Sequence, residues 1–86
     1  LLAGESVIKI LVQAKEPAAV APPGGVAGAT GYRYWTISID NLEEITAQCS
    51  DAGYKVPVSL MDMRPGVRIS MVEDPDGNWV EFLEQT

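Results

Sequence analysis

Apolar and polar positions alternate over several short segments of the chain, and this pattern predicts β-strands. Within residues 31–40, Trp35, Ile37 and Ile39 fall on one face of a strand and more polar side chains on the other, because successive strand residues point to opposite faces. Residues 5–13 are rich in β-branched side chains and predict an additional, mostly buried strand. Three more strands are predicted further along, over residues 55–60, 67–73 and 78–84.

One helix is predicted directly after the strand within residues 31–40. Asp40 is expected to be its N-cap, because Glu43 follows three residues later in the spacing of a capping box. Gly53 is expected to end the helix. An apolar stripe at helical spacing would pack on the sheet, and it consists of Leu42, Ile45, Cys49 and Ala52. The predicted order over residues 31–86 is therefore β-α-β-β-β.

Residues 14–30 have neither helical nor strand periodicity. Prolines and glycines lie among alanines here, a composition typical of a linker. We therefore divide the chain into an extra strand within residues 1–13, a linker over 14–30 and a folded module over 31–86.

The sequence Asp74-Pro75-Asp76-Gly77 predicts a tight turn between the last two strands, because proline fixes φ at about −65° and glycine permits a positive φ. Antiparallel pairing that starts with Glu73 opposite Asn78 would put Ile69 and Met71 on an apolar face against the helix. The opposite face would be amphipathic, and we expect it to cover a ligand or another sheet. Its predicted members are Tyr34, Thr36, Arg68, Ser70, Val72, Trp79 and Glu81.

The length and the net charge of the chain exclude several classes of binding partner. A chain of 86 residues is limited to one domain with a thin core. Acidic residues outnumber basic ones by 12 to 6, which gives a net charge of −6. No basic cluster is available to neutralise phosphates, so neither nucleic acid nor a membrane surface is an expected partner. No apolar run approaches the about 20 residues that a membrane-spanning helix needs.

The sequence contains no histidine, which excludes histidine-dependent triads, histidine metal ligands and imidazole acid–base chemistry within this chain. Catalysis would have to use carboxylates, tyrosine, lysine or a partner. The single cysteine, Cys49, cannot form an intramolecular disulfide, so a reducing cytoplasm is the expected location.

Three segments together resemble one βαβββ module of the vicinal oxygen chelate superfamily, which includes glyoxalases, bleomycin-resistance proteins and extradiol dioxygenases. They are residues 31–40, the helix end Asp51-Ala52-Gly53, and the run from Met71 to Glu84, whose specific part is Asp-Pro-Asp-Gly-Asn-Trp-Val-Glu. The resemblance implies an α+β fold in which a mixed four-stranded sheet carries one helix on one face and a half-barrel concave surface on the other.

Family members pair two such modules, in one chain or across a dimer, around a metal and a small substrate. The strand over residues 5–13 and its linker look like the end of a preceding module, so most of a first module would be absent. The resemblance therefore implies a homodimer or a product truncated or processed from a two-module protein. A fragment whose main property is self-association remains an alternative.

The resemblance also assigns candidate metal ligands. Glu81 falls where the family has a ligating carboxylate on the last strand, and there it would also be the candidate catalytic base. Tyr34 stands where the family usually has histidine, and Lys9 stands at about the ligand position of the preceding module. Neither is a competent ligand for most divalent metals near neutral pH. We therefore expect no bound cofactor, although a divalent metal held partly by Glu81 stays open.

Two functions follow from these assignments. The first is a binding module that holds a small molecule on the amphipathic face by Tyr34, Trp79 and neighbouring polar groups. The second is a metal-dependent lyase, isomerase or extradiol-type dioxygenase whose other ligands come from a missing module or a partner chain. For Glu81, an ion pair with Arg68 is a third, purely structural interpretation.

Overall fold

The computed structural model describes residues 1–86, and it confirms the order β-α-β-β-β after residue 31. A short hairpin over residues 2–7 precedes this module, and a 3-10 turn lies at Gly25–Ala27. The strands are β1 (Leu2–Ala3), β2 (Ser6–Val7), β3 (Tyr34–Ile39), β4 (Val58–Arg64), β5 (Val67–Glu73) and β6 (Trp79–Gln85). The one α-helix, α1, spans Leu42–Asp51 and is too short to cross a membrane.

The four long strands form one mixed sheet in the order β3-β6-β5-β4. β3 runs parallel to β6, whereas β6, β5 and β4 are antiparallel neighbours. The helix packs mainly on β5, β4 and β6, and its contact with the edge strand β3 is small at most. The predicted α+β class, with a mixed four-stranded sheet and one helix on one face, is confirmed.

The start of α1 differs from the capping box expected at Asp40. The N-cap is Asn41, and its side chain makes no capping hydrogen bond. Instead, the Leu42 N–H donates to Glu84 Oε2 at 3.2 Å. A carboxylate from β6 therefore replaces the predicted cap as the acceptor for a free N–H group at the helix start. The helix ends as predicted, because the N–H groups of Gly53 and Tyr54 donate back to Ser50 and Cys49 in a Schellman arrangement.

The core is thin, since only nine of the 86 residues are buried. Its apolar members are Leu42, Val67, Ile69 and Val72. In the predicted helix stripe, Ile45 and Cys49 are half-buried, Ala52 is exposed, and Thr46 is buried instead. Burial raises the pKa of the Cys49 thiol, in keeping with a packing role for this residue.

The turn at residues 74–77 is confirmed, but the predicted register across it is wrong by one residue. The Asp74 N–H donates to the Asn78 carbonyl at 2.7 Å, so the loop is three residues long instead of four. Glu73 consequently pairs with Trp79, Met71 with Glu81, and Ser70 with Phe82. A shift of one residue moves the side chains of one strand to the opposite face relative to its neighbour.

The strand predicted over residues 5–13 does not form. Only Ser6–Val7 pairs, with Leu2–Ala3, and the side chain of Val12 is 92% exposed. A β-branched segment forms a strand only beside a partner strand, and no other part of this chain pairs with it. β4 lies three to four residues later than predicted, so Met61 and Met63 are on this edge strand and not in a loop.

Candidate functional site

The face of the sheet opposite α1, called here the helix-free face, brings together four of the six predicted ligand-binding residues. In the parallel pairing of β3 with β6, Tyr34 lies beside Trp79 and Thr36 beside Glu81. Side chains at these positions share a face because the strand period is two. Met71 pairs with Glu81 from the other side, so β5 adds a thioether to this group.

Arg68 and Ser70 lie on the opposite face, against the helix, so their predicted place beside Glu81 is wrong. Ser70 Oγ is 2.8 Å from Thr46 Oγ1 of the helix and is fully buried. Arg68 donates to Glu84 at 2.7 Å and to Glu43 at 3.1 Å. The register shift explains both differences, and these two residues join the helix to the sheet.

Arg68, Glu43 and Glu84 form an ion-paired group, called here the Arg68 cluster. Its hydrogen bonds shift the pKa values of two of its members. The hydrogen bond from Arg68, and then the one from the Leu42 N–H, lower the pKa of Glu84. The same carboxylate, followed by Glu43, raises the pKa of Arg68. Glu84 was not among the predicted site residues, and its structural role depends on a register that its residue type does not reveal.

Glu81 is the most enclosed polar residue of the helix-free face, with only 7% of its surface exposed. Its Oε1 accepts a hydrogen bond from Thr36 Oγ1 at 2.8 Å, so the predicted ion pair with Arg68 is absent. The second carboxylate oxygen has no hydrogen-bond partner within the chain and is not fully buried. One oxygen of Glu81 therefore remains available to a hydrogen-bond donor from outside the chain.

The aromatic residues around this carboxylate differ in how accessible they are. Tyr34 is exposed and lines a shallow cavity of about 300 Å³ with Tyr32, Asp74 and Asn78. Trp79 is half-buried because Gly25 of the linker lies against its ring. Trp35 is 44% exposed, because it lies on the edge strand β3, with which the helix makes little contact.

A second, larger cavity lies between the N-terminal hairpin and the end of β3. It measures about 530 Å³, and its lining includes Gly4, Ser38, Asn41 and Leu83. The sequence pattern did not indicate it, because its position depends on where the hairpin sits beside the sheet. No charged side chain other than Asp40 lines it.

The residues present do not fit the divalent metal that the family resemblance implies. No three histidine, cysteine, aspartate or glutamate side chains lie close enough together to hold an ion. Tyr34 shares the face with Glu81, but a neutral phenol is a poor ligand for most divalent metals. Lys9 lies in a segment that forms no strand. Glu81 is thus a lone carboxylate, suited to accept hydrogen bonds.

Comparison with known proteins agrees with this fold. A profile of the Glyoxalase/Bleomycin resistance protein/Dioxygenase superfamily matches residues 1–82. No curated protein matches the chain. Among solved structures, TioX from Micromonospora sp. ML1 is similar, with a TM-score of 0.58 and 24% identity over 84% of this chain and 54% of TioX.

A protein assigned to the glyoxalase family from Bacillus anthracis is similar as well, with a TM-score of 0.57 and 22% identity over 81% of this chain and 50% of the other. The chain therefore spans about half the length of both proteins. At these identities the structural likeness shows the fold, whereas the profile match over residues 1–82 shows the family. The chain belongs to the glyoxalase/bleomycin-resistance protein/dioxygenase superfamily.

Proposed function

We propose that this chain is a glyoxalase-like module that binds a small amphipathic molecule on its helix-free face without a metal centre of its own. The proposal rests on the burial and the hydrogen bonding of Glu81. This carboxylate is enclosed, accepts one hydrogen bond from Thr36, and keeps one oxygen free. An enclosed anionic acceptor favours a ligand that brings a hydroxyl, amine or other hydrogen-bond donor.

The surroundings of Glu81 favour an apolar part in the same ligand. Met71 lies beside Glu81 on β5. Tyr34 on β3 lies beside Trp79, which is two positions before Glu81 on β6. Aromatic rings and thioethers supply large apolar contact area, and thioethers adapt to irregular shapes. A flat or branched apolar molecule with one donor group would contact the apolar side chains and donate a hydrogen bond to Glu81.

A second module is part of the proposal, because one module leaves much apolar surface open. Leu60, Met61 and Met63 on the edge strand β4 are exposed, and so are Tyr34 and Trp35 on β3. Burying such surface against a second copy of the chain would enlarge a core that is thin in one copy. We propose a homodimer whose two helix-free faces enclose the ligand.

The alternative is a metal-dependent enzyme, and the same residue supports it. Glu81 occupies the family's ligand position and has a free oxygen, so it would bind a metal if other ligands came from a second module. Within this chain it has no companion ligand. We prefer the binding function because a single carboxylate does not hold a divalent ion against water.

Metal content separates the two functions. The purified chain is dialysed against Mn²⁺, Ni²⁺, Zn²⁺ and Fe²⁺ in turn and then against metal-free buffer, and its metal content is measured by elemental analysis. The binding function predicts substoichiometric metal in every case. One tightly held ion per chain or per dimer, lost in Glu81→Ala but kept in the surface control Glu44→Ala, would establish the metal-dependent alternative.

A further inference from the structure

Arg33 is a buried cation that has no acidic partner. It lies just before β3, is only 6% exposed and forms no ion pair. Its guanidinium instead donates to backbone carbonyls of the linker: Nε to Gly25 at 2.9 Å and Nη2 to Pro22 at 2.7 Å. A longer contact of 3.4 Å joins Nη2 to Pro23. One side chain of the folded module therefore holds the linker in place.

The held segment, Pro22–Gly28, lies on Trp79, and we call it the strap. A Cβ on Gly25 would come within 2.3 Å of Trp79 Cζ2, so only glycine allows the backbone this close. Gly25 also has a φ of +65°, a value that favours glycine. The strap and the indole ring therefore touch with no side chain between them.

Closing the strap leaves two groups poorly satisfied. Trp79 Nε1–H is buried and has no hydrogen-bond partner. Arg33 gives up hydration of its charge and receives only neutral carbonyl acceptors in return. Opening the strap would return both groups to water, so part of the free energy gained by closing is lost to these two penalties.

Few hydrogen bonds join the strap to the folded module. It contains one 3-10 turn and no strand, and the residues before it, 8–20, are without helix or strand. Its hydrogen bonds to the folded module all come from Arg33. Segments with few bonds to the rest of a protein open at low free-energy cost.

We propose that the strap is a displaceable cover, latched by the Arg33 guanidinium, that controls access to Trp79 on the helix-free face. When it is closed, the linker backbone occupies the space over the indole ring. When it is open, the ring and its unpaired N–H become available to an outside molecule. The Arg33 latch sets the balance between the two states.

Quenching of tryptophan fluorescence by acrylamide tests the latch without any biological ligand, so it can fail independently of the proposed function. All variants carry Trp35→Phe, which leaves Trp79 as the one tryptophan. Arg33→Met removes the guanidinium and keeps an aliphatic side chain. Arg64→Met is the matched control, because Arg64 is exposed and forms no ion pair. Thermal melts show whether each variant still unfolds cooperatively.

The proposal predicts that Arg33→Met raises the Stern–Volmer constant of Trp79 about twofold or more and red-shifts its emission, whereas Arg64→Met changes neither. Gly25→Ala should act in the same direction, since its Cβ cannot fit against the ring. If Arg33→Met does not fold, the quenching of Trp79 in Gly25→Ala is the test of the proposal. Unchanged quenching in the folded variants, or loss of cooperative unfolding in both, would overturn the proposal.

Discussion

At the scale of single residues, Thr36 and Glu81 determine the chemistry of the helix-free face. Their 2.8 Å hydrogen bond joins an edge strand to its parallel neighbour and fixes the orientation of an enclosed carboxylate. Residue types alone could not predict this pair. The sequence pattern predicts that both residues share a face, but it also wrongly predicts Arg68 there, and an arginine is the more obvious partner for a glutamate.

Thr36→Val tests whether this bond stabilises the fold. Valine keeps the shape of threonine but leaves Glu81 without its one partner, so we expect the free energy of unfolding to fall by about 1–3 kcal/mol. Thr30→Val is the matched control, because Thr30 is exposed in the linker. Urea denaturation measures both. Equal losses in the two variants would show that the hydrogen bond contributes nothing.

At the scale of elements, the last hairpin shows what sequence reasoning can and cannot reach. Asp74 Oδ1 accepts hydrogen bonds from the N–H groups of Asp76 and Asn78, both at 2.9 Å, as expected of an aspartate that begins a turn. The residue types predicted the turn correctly. They did not fix its length, because loops of three and four residues both accommodate this sequence, and that one residue decides where Arg68 and Ser70 point.

Gly77 gives a direct test of the turn. Its φ is +86°, and a Cβ there would meet no atom within 4 Å, so the cost of a substitution is conformational and not steric. Gly77→Val should lower the free energy of unfolding by about 1–3 kcal/mol. Gly77→Asn should cost less, because asparagine tolerates a positive φ. Thermal melts that rank asparagine at or below valine would contradict this assignment.

We expect the stability of the link between helix and sheet to depend on pH. Because Arg68 lowers the pKa of Glu84 in the folded state, Glu84 contributes stability that is fully present above its ordinary, unfolded-state pKa. That stability is lost as the pH falls through the lower folded-state value. We therefore expect Arg68→Met to flatten the dependence of the urea midpoint on pH in the acid range.

Lys55→Met is the control for this prediction. Lys55 forms a longer contact with Glu73, at 3.8 Å, and its side chain is largely exposed. Such pairs contribute little to stability. If both variants changed the acid dependence equally, the Arg68 cluster would not be its source.

At the scale of the whole molecule, the order of helix and strands over residues 31–86 was predictable, whereas the structure of the N-terminal part was not. The period-two strands, the helix and the stop at Gly53 follow from local patterns. The composition of residues 5–13 predicts a strand, but a strand forms only beside a partner strand, and this chain supplies none for the whole segment. The contact between Gly25 and Trp79 spans more than fifty residues, and no local pattern indicates it.

The open surface of the sheet leads to a prediction about assembly. Sedimentation at micromolar concentration should show a dimer, because exposed apolar side chains on β3 and β4 favour a second copy. Tyr34→Lys and Met61→Lys should each weaken association, because both side chains share the helix-free face. A monomer at all concentrations would contradict the dimer.

The most direct test of the central claim is a fluorescence titration of Trp79, in the Trp35→Phe background, with a panel of small aromatic amines and alcohols. Each titration is run once in excess EDTA and once in excess Mn²⁺. The account predicts saturable quenching with the same Kd in both conditions, and weaker binding in Glu81→Gln. Binding that appears only with Mn²⁺ and vanishes in EDTA would contradict it and establish a metal-dependent site.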